Sequence, residues 1–213
     1  MSKAVSKLAA SKTPVPPRWR KEVASILITD KMLATRIAAL GREIERDFAG
    51  RDMVVVSLLN GTVMFIGDLI RHLSHPLRLD FMGVSSYGKG TESGDLVFTK
   101  ELRLDVKGRD VLLVDDILDT GRTLRRVLEK LCLLGPKRIR TCVLLDKPAR
   151  RIEKVTADYI GFTIPDQFVV GYGLDFAEKY RNLPFVGVLK PEMYSSPKPK
   201  APTQKAKRAK AAQ

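Results

Sequence analysis

The chain has 213 residues, 44% of them hydrophobic and 29% charged. That length suits one domain with decorations, able to bury ~70% of the surface its unfolded chain exposes, and the composition excludes collagen-like, disulfide-scaffold and wholly disordered classes. The formal charge of +14 suggests a nucleic-acid binder, but twelve of those charges sit in two acid-free ends, residues 1–21 and 195–213, leaving +2 for the body between them.

Residues 1–21 carry Lys3, Lys7, Lys12, Arg18, Arg20 and Lys21. A basic, acid-poor stretch is shared by transit peptides and solubilising arms; Pro14, Pro16 and Pro17 favour a flexible arm, and no apolar h-region marks a secretory signal. Leu33, Ile37, Leu40, Ile44 and Phe48 then recur at helical spacing, with Asp30 placed to cap the helix and Gly50 to stop it. Residues 53–59 (MVVVSLL) read as a strand, Asn60-Gly61 as a tight turn and residues 62–73 as a helix. Residues 77–87 and 96–102 read as two strands around the polar stretch 88–95. Residues 111–117 (VLLVDDI) form a solidly apolar strand, followed by a turn and a helix over 123–135. Strands follow at 140–146, 157–164 and 185–189, with a short FVVGYG segment before the last. Residues 195–213 repeat the basic, Pro- and Ala-rich character of the start.

Cys132 and Cys142 have neither CxxC nor metal-ligand spacing and sit among apolar neighbours, so both read as buried free thiols in a reducing, cytoplasmic setting. His72 and His75 lack ligand partners and read as exposed. The longest apolar run, residues 53–70, is broken by Asn60, Gly61 and Asp68, short of the ~18–20 residues a membrane span needs.

Continuous apolar strands alternating with helices predict an α/β domain over residues 22–194, with a mostly parallel sheet covered on both faces. Ligands of such sheets bind outside the carboxyl ends of the strands. Asn60-Gly61, Asp115-Asp116 and Lys147 all fall at such ends.

The most informative segment is Val111–Thr123, VLLVDDILDTGRT. Its loop opens a helix whose first N–H groups point outward unpaired at the positive end of the helix dipole. Gly121 permits close approach, Thr120 and Thr123 offer hydroxyls, and Arg122 adds charge. The acids just upstream suit ribose hydroxyls or a hydrated Mg²⁺. A Walker B strand would look similar, but no GxxxxGK[ST] loop exists in the chain. A receiver-domain pocket needs a third aspartate that is not found, and simple helix capping is the bland alternative.

This segment closely resembles the phosphoribosyl-pyrophosphate (PRPP) signature of type I phosphoribosyltransferases. Four further segments resemble that family in the expected order, over roughly residues 24–193. Residues 58–62 (LLNGT) resemble its pyrophosphate loop, and Ser86-Tyr87 its mobile catalytic flap. Residues 145–147 (LDK) resemble the strand end whose lysine meets the purine. Residues 164–175, followed by Arg181, resemble the purine lid of 6-oxopurine enzymes. The resemblance implies a Rossmann-like core with a small lid, or hood, and a flap. It implies purine salvage: hypoxanthine or guanine plus PRPP giving IMP or GMP and pyrophosphate.

The same resemblance assigns roles. Asp115 and Asp116 hold the ribose hydroxyls and one Mg²⁺, and Asp175 a second. Asp119 manages the proton at N7 of the purine. Thr120, Gly121, Arg122 and Thr123 cradle the 5′-phosphate, while Asn60, Gly61 and Arg181 hold pyrophosphate. Lys147 donates to the 6-oxo group, Phe168 stacks on the base, and Val169 and Asp175 meet its edge. Ser86 and Tyr87 close over the site. A cis peptide is implied at Leu59–Asn60, and a homodimer or homotetramer as the assembly. Many relatives carry a basic residue at Asn60 and Glu-Asp at the acid pair, and the arms lie outside the family pattern. Contact with nucleic acid would fall to the arms. Transfer to xanthine or a pyrimidine, or an RNA-binding regulator on the same fold, are the alternatives.

Overall fold

A computed structural model of the chain describes residue 11 and residues 13–86 and 96–195. The elements in order are β1 (Val23–Ile28), α1 (Asp30–Asp47), β2 (Met53–Leu59), α2 (Val63–Ile70), β3 (Arg78–Ser86) and β4 (Leu96–Lys100). Then come β5 (Asp110–Leu118), α3 (Arg122–Leu133), β6 (Arg138–Asp146), β7 (Tyr159–Thr163), β8 (Val169–Val170), β9 (Val186–Leu189) and α4 (Pro191–Tyr194).

Six strands form the main sheet in the order β4-β3-β2-β5-β6-β7, and only the edge strand β4 runs antiparallel. Residues of β2 and β5 are buried on both sides, as a sheet covered twice requires. On one face Val55, Leu112, Val114 and Leu144 pack under Leu33, Ile37 and Leu40 of α1 and Phe65 and Leu69 of α2. On the other, Val54, Val56, Val111 and Leu113 pack under Leu124, Val127 and Leu131 of α3. Alternating residues of each strand thus feed two separate cores. Strand order reverses between β2 and β5, so a crevice opens beyond their carboxyl ends.

The predicted α/β sheet with helices on both faces is what the chain forms. Several details differ from expectation. The cap of α1 is Thr29, whose hydroxyl accepts from the Met32 N–H at 3.3 Å; Asp30 is the first helical residue. Strand β1 is an element the sequence pattern did not announce. It pairs antiparallel with β9, which in turn pairs with β8, in a second three-stranded sheet. Cys142 is buried, but Cys132 is exposed, because the buried stripe of α3 runs through Leu124, Val127 and Leu131. Both histidines are exposed. The expected arm over 1–21 ends early: Val15 is buried and the Trp19 ring meets Tyr180 edge-on at 6.2 Å. Residues 1–10, 12 and 196–213 lie outside the described residues. Among those described, no helix is long and apolar enough to cross a membrane.

The hairpin of β3 and β4 is stiffened by buried Asp80. Its carboxylate accepts from the N–H groups of Phe81 (2.7 Å), Arg103 (2.6 Å) and Leu104 (3.0 Å), and from Lys100 Nζ (3.0 Å). Burial alone would raise its pKa; these donors outweigh burial and hold the carboxyl well below the usual carboxylate range. A depressed folded-state pKa gives stability that is present above the unfolded carboxyl value of ~4 and lost as pH falls below it. Asp80→Asn is therefore expected to lower stability at pH 7 by about 1.5–3 kcal/mol. Urea titrations should show the gap steady above about pH 5 and narrowing as pH falls below about 4. A gap that is constant with pH would remove the charge from this role.

Candidate active site

Three loops meet at the crevice. The turn after β2 is tied down from below: Ser57 Oγ donates to Thr62 Oγ1 at 2.8 Å, and Thr62 Oγ1 donates to the Leu58 carbonyl. The Leu59–Asn60 peptide is cis, as the resemblance implied. Gly61 lies directly against the Asp116 carboxylate, where a Cβ would overlap it. From above, Gly173 (φ +100°) lies against the Gly61 carbonyl so closely that only glycine fits. Arg181 Nη1 donates to the Gly173 carbonyl at 2.8 Å, and its Nη2 pairs with Asp175 at 2.9 Å. Asn60-Gly61, Asp116, Gly173–Asp175 and Arg181 are thereby brought together from four parts of the chain.

The acid pair ends a strand that is apolar from Val111 to Val114. Asp115 is buried, and its Oδ1 accepts from the Asp116 N–H at 2.9 Å. Asp116 Oδ1 accepts from the Ile117 N–H at 2.7 Å. Burial first, and then the charge of Asp116, push the Asp115 carboxyl well above the ordinary range. Burial raises Asp116 as well, and the positive charge of Arg181 opposes that rise.

Beyond the acids the chain turns through Gly121, which sits at φ +88° as the residue capping α3 and provides no side-chain cap. A Cβ there would stand 2.7 Å from Val155 Cγ2. Among the described residues, the first N–H groups of this twelve-residue helix have only one weak local partner, Thr120 Oγ1, 3.4 Å from the Arg122 nitrogen. Arg122 is exposed and Thr123 half-buried at the helix start. The arrangement is an anion cradle.

One residue here had no signal in the sequence. Arg151 lies in the polar stretch after β6, and its guanidinium is largely buried. It donates to the carbonyls of Asp119 (2.9 Å), Leu118 (3.0 Å) and Val155 (2.8 Å), and pairs with Asp146. It clamps the end of β5 to the end of β6. Asp119 is held by its backbone in this way, while its Oδ1 is buried with no hydrogen-bond partner among the described residues; Arg150 Nε stands 3.6 Å away.

Lys147 closes the far side. Its N–H bonds to the Leu118 carbonyl at 3.0 Å, which links it to the same strand end. Its ammonium is buried, donates to the Gln167 carbonyl at 2.9 Å and pairs with Asp166 at 2.9 Å. Phe168 follows Gln167 directly and is 36% exposed, so it is no core residue, whereas Val169 is buried in β8 against Val188. Ser86 ends β3 opposite Leu96. Tyr87 lies outside the described residues.

A family model of the phosphoribosyl transferase domain matches residues 24–177. The bifunctional protein TilS/HprT of Listeria monocytogenes is 46% identical over 175 residues, 82% of this chain; the chain spans 27% of that relative's length. The hypoxanthine-guanine phosphoribosyltransferase of Bacillus subtilis is 42% identical over 178 residues, 83% of this chain and 99% of the relative. The crystal structure of a hypoxanthine phosphoribosyltransferase from Staphylococcus aureus matches with a TM-score of 0.81 and 41% identity, covering 86% of this chain and 100% of that one. An acid-tipped strand running into an uncapped helix is thus accompanied by likeness along nearly the whole described body, and the chain belongs to the phosphoribosyl transferase family, among its hypoxanthine(-guanine) members.

Proposed function

We propose that this chain is a cytoplasmic purine-salvage enzyme. It transfers the 5-phosphoribosyl group of PRPP to hypoxanthine or guanine and releases pyrophosphate with IMP or GMP. The observation that carries this reading is the convergence on one crevice of the Asp115–Thr123 segment, Lys147 and the exposed ring of Phe168.

The residues divide the work by chemistry. The N–H groups at the start of α3, with the Thr120 and Thr123 hydroxyls and Arg122, hold the 5′-phosphate. Asp115 and Asp116 accept from the ribose hydroxyls. N9 of the base attacks the anomeric carbon, the bond to pyrophosphate breaks, and Asp119 takes the purine's proton at N7. Lys147 has three N–H donors, two already directed at Gln167 and Asp166, and the third meets the 6-oxo group. Adenine offers an amino donor at that position and is rejected. Phe168 stacks on the base, and Val169 and Asp175 meet its edge. Ser86 and Tyr87 close over the site and exclude water.

Mg²⁺ fits this site. Among the described residues no cluster of three or more His, Cys, Asp or Glu could cage a metal. A hard cation that keeps its waters and arrives on phosphates needs only one or two carboxylates. Asp115 and Asp116 would hold one ion and Asp175 a second, and the bound metal supplies neutralisation of the leaving pyrophosphate. Asp175 pairs with Arg181 at 2.9 Å, so it would be free to hold an ion where Arg181 instead paired with the pyrophosphate. The assembly is a homodimer or homotetramer.

Pyrophosphate release from PRPP and Mg²⁺ with hypoxanthine, guanine, xanthine, adenine and uracil tests the reading. Turnover is expected with hypoxanthine or guanine and not with adenine or uracil. Lys147→Gln should lose a charge-assisted hydrogen bond and about 10–100-fold of the preference for hypoxanthine over adenine. A dead panel would refute the activity; unchanged discrimination would refute only the role of Lys147.

A further inference from the structure

The ring of Phe168 is held from behind by residues outside the family's motifs. Tyr194, in α4, stacks on it with ring centroids 4.7 Å apart and planes at 19°. Phe176 meets it edge-on, at 5.5 Å and 90°. One face of the ring is thus covered by Tyr194, while the residue as a whole stays 36% exposed. The backing is anchored independently of the ring. Lys190 N–H bonds to the Glu22 carbonyl at 2.8 Å, Met193 N–H to Lys190 at 3.0 Å and Ser195 N–H to Pro191 at 2.8 Å. Met193 packs on the cluster of Val23, Leu183 and Phe185 beneath the small sheet. On the other side, Lys147 grips the Gln167 carbonyl, one residue before Phe168, and the Phe168 carbonyl accepts from the Leu189 N–H at 2.9 Å. Tyr194 itself is 40% exposed, so core burial does not explain a large aromatic here.

We infer that Tyr194 is a positioning residue for the purine: its ring fixes the plane of Phe168 so that the open face is ready to stack on the base. A phenylalanine that is free to turn must be ordered when the base arrives, and the stacked tyrosine removes that ordering from the binding step. The inference rests on the reading of Phe168 as the base-stacking residue. It assigns the C-terminal turn of the folded body, which lies beyond the purine lid in sequence, to base recognition.

The test is steady-state kinetics on Tyr194→Ala, Tyr194→Phe, Phe168→Ala and the double variant Phe168→Ala/Tyr194→Ala. Tyr194→Ala is expected to raise KM for hypoxanthine about 3–10-fold, with kcat and KM for PRPP changed by less than about twofold. Tyr194→Phe should restore the wild-type KM, since the ring and not the hydroxyl does the backing. In the Phe168→Ala background, loss of Tyr194 should add nothing. A fall in hypoxanthine KM in Tyr194→Ala would mean that Tyr194 occupies the base's own place, and would overturn the inference. So would an equal rise in both KM values, or an effect that persists without Phe168. An unchanged Tyr194→Ala beside an impaired Phe168→Ala would sink the inference and leave the stacking role of Phe168 intact. An unimpaired Phe168→Ala would remove that role and the inference with it.

Discussion

Asp119→Asn is expected to lower kcat for hypoxanthine by about 10²–10⁴-fold while leaving KM for PRPP within about twofold of wild type. The expectation comes from how the residue is held. Arg151 fixes the Asp119 backbone by donating to its carbonyl at 2.9 Å and to that of Leu118 at 3.0 Å. The carboxylate is left out of this network: its Oδ1 is buried without a hydrogen-bond partner among the described residues, and the Arg150 Nε charge stands 3.6 Å away, beyond hydrogen-bond distance. A buried acceptor without a donor destabilises a fold by roughly 1–3 kcal/mol. A donor supplied by the substrate removes that deficit, and an N–H at N7 of the purine is such a donor. Asparagine keeps the shape and an oxygen acceptor but takes up no proton at neutral pH, so binding survives better than the chemical step. The proposed assignment gives the 5′-phosphate to α3 and the ribose to Asp115 and Asp116, so on that reading PRPP affinity should be little changed. Initial rates at saturating PRPP, with a thermal melt to show that the variant folds, decide the matter. A kcat within about threefold of wild type would take Asp119 out of the proton transfer.

What the sequence made legible, and what it hid, follows from the range of the interactions. The β5–α3 junction could be read because its determinants are consecutive: four apolar residues, two acids, a glycine at the turn and the hydroxyls around it. Both faces of the sheet could be read because β2 and β5 carry no alternation. β1 could not, because VASILI mixes small and apolar residues and takes its partner from β9, some 160 residues later. Cys132 was misjudged because apolar neighbours in sequence are not neighbours in space: on α3 it stands beside Leu131 but off the buried stripe. Arg151 and Tyr194 left no pattern at all. Each acts through partners that only the fold brings near, backbone carbonyls for one and an aromatic ring for the other. Trp19 is similar, since its partner Tyr180 lies in the segment after the lid.

The second large effect concerns Asp115, where function and stability should move in opposite directions. Asp115→Asn is expected to reduce kcat/KM for PRPP by about 10–100-fold or more, the size of loss that its proposed place at the metal-bound substrate implies, and to make the ligand-free protein more stable at pH 8. Burial and the neighbouring charge of Asp116 raise the carboxyl's pKa in the folded chain. A raised acid pKa means that the folded state holds its proton to higher pH than the unfolded state does. Stability therefore falls as pH climbs from the unfolded carboxyl value of ~4 to the raised folded value, and the deficit is complete above that. An asparagine does not ionise, and it can still accept from the Asp116 N–H as Asp115 does at 2.9 Å. The variant's advantage should be absent near pH 4 and grow with pH to about 0.5–2 kcal/mol. For a chain of this size that is a rise in Tm of a few degrees. Melts of both proteins at pH 5, 6.5 and 8 without ligand would show it. Adding PRPP and Mg²⁺ should then stabilise the wild type and reverse the order, because two buried carboxylates that repel one another are what a divalent cation relieves. A variant less stable than wild type at every pH would mean that the pair is already neutralised in the free enzyme, and that its burial carries no stored preference for the metal-bound substrate.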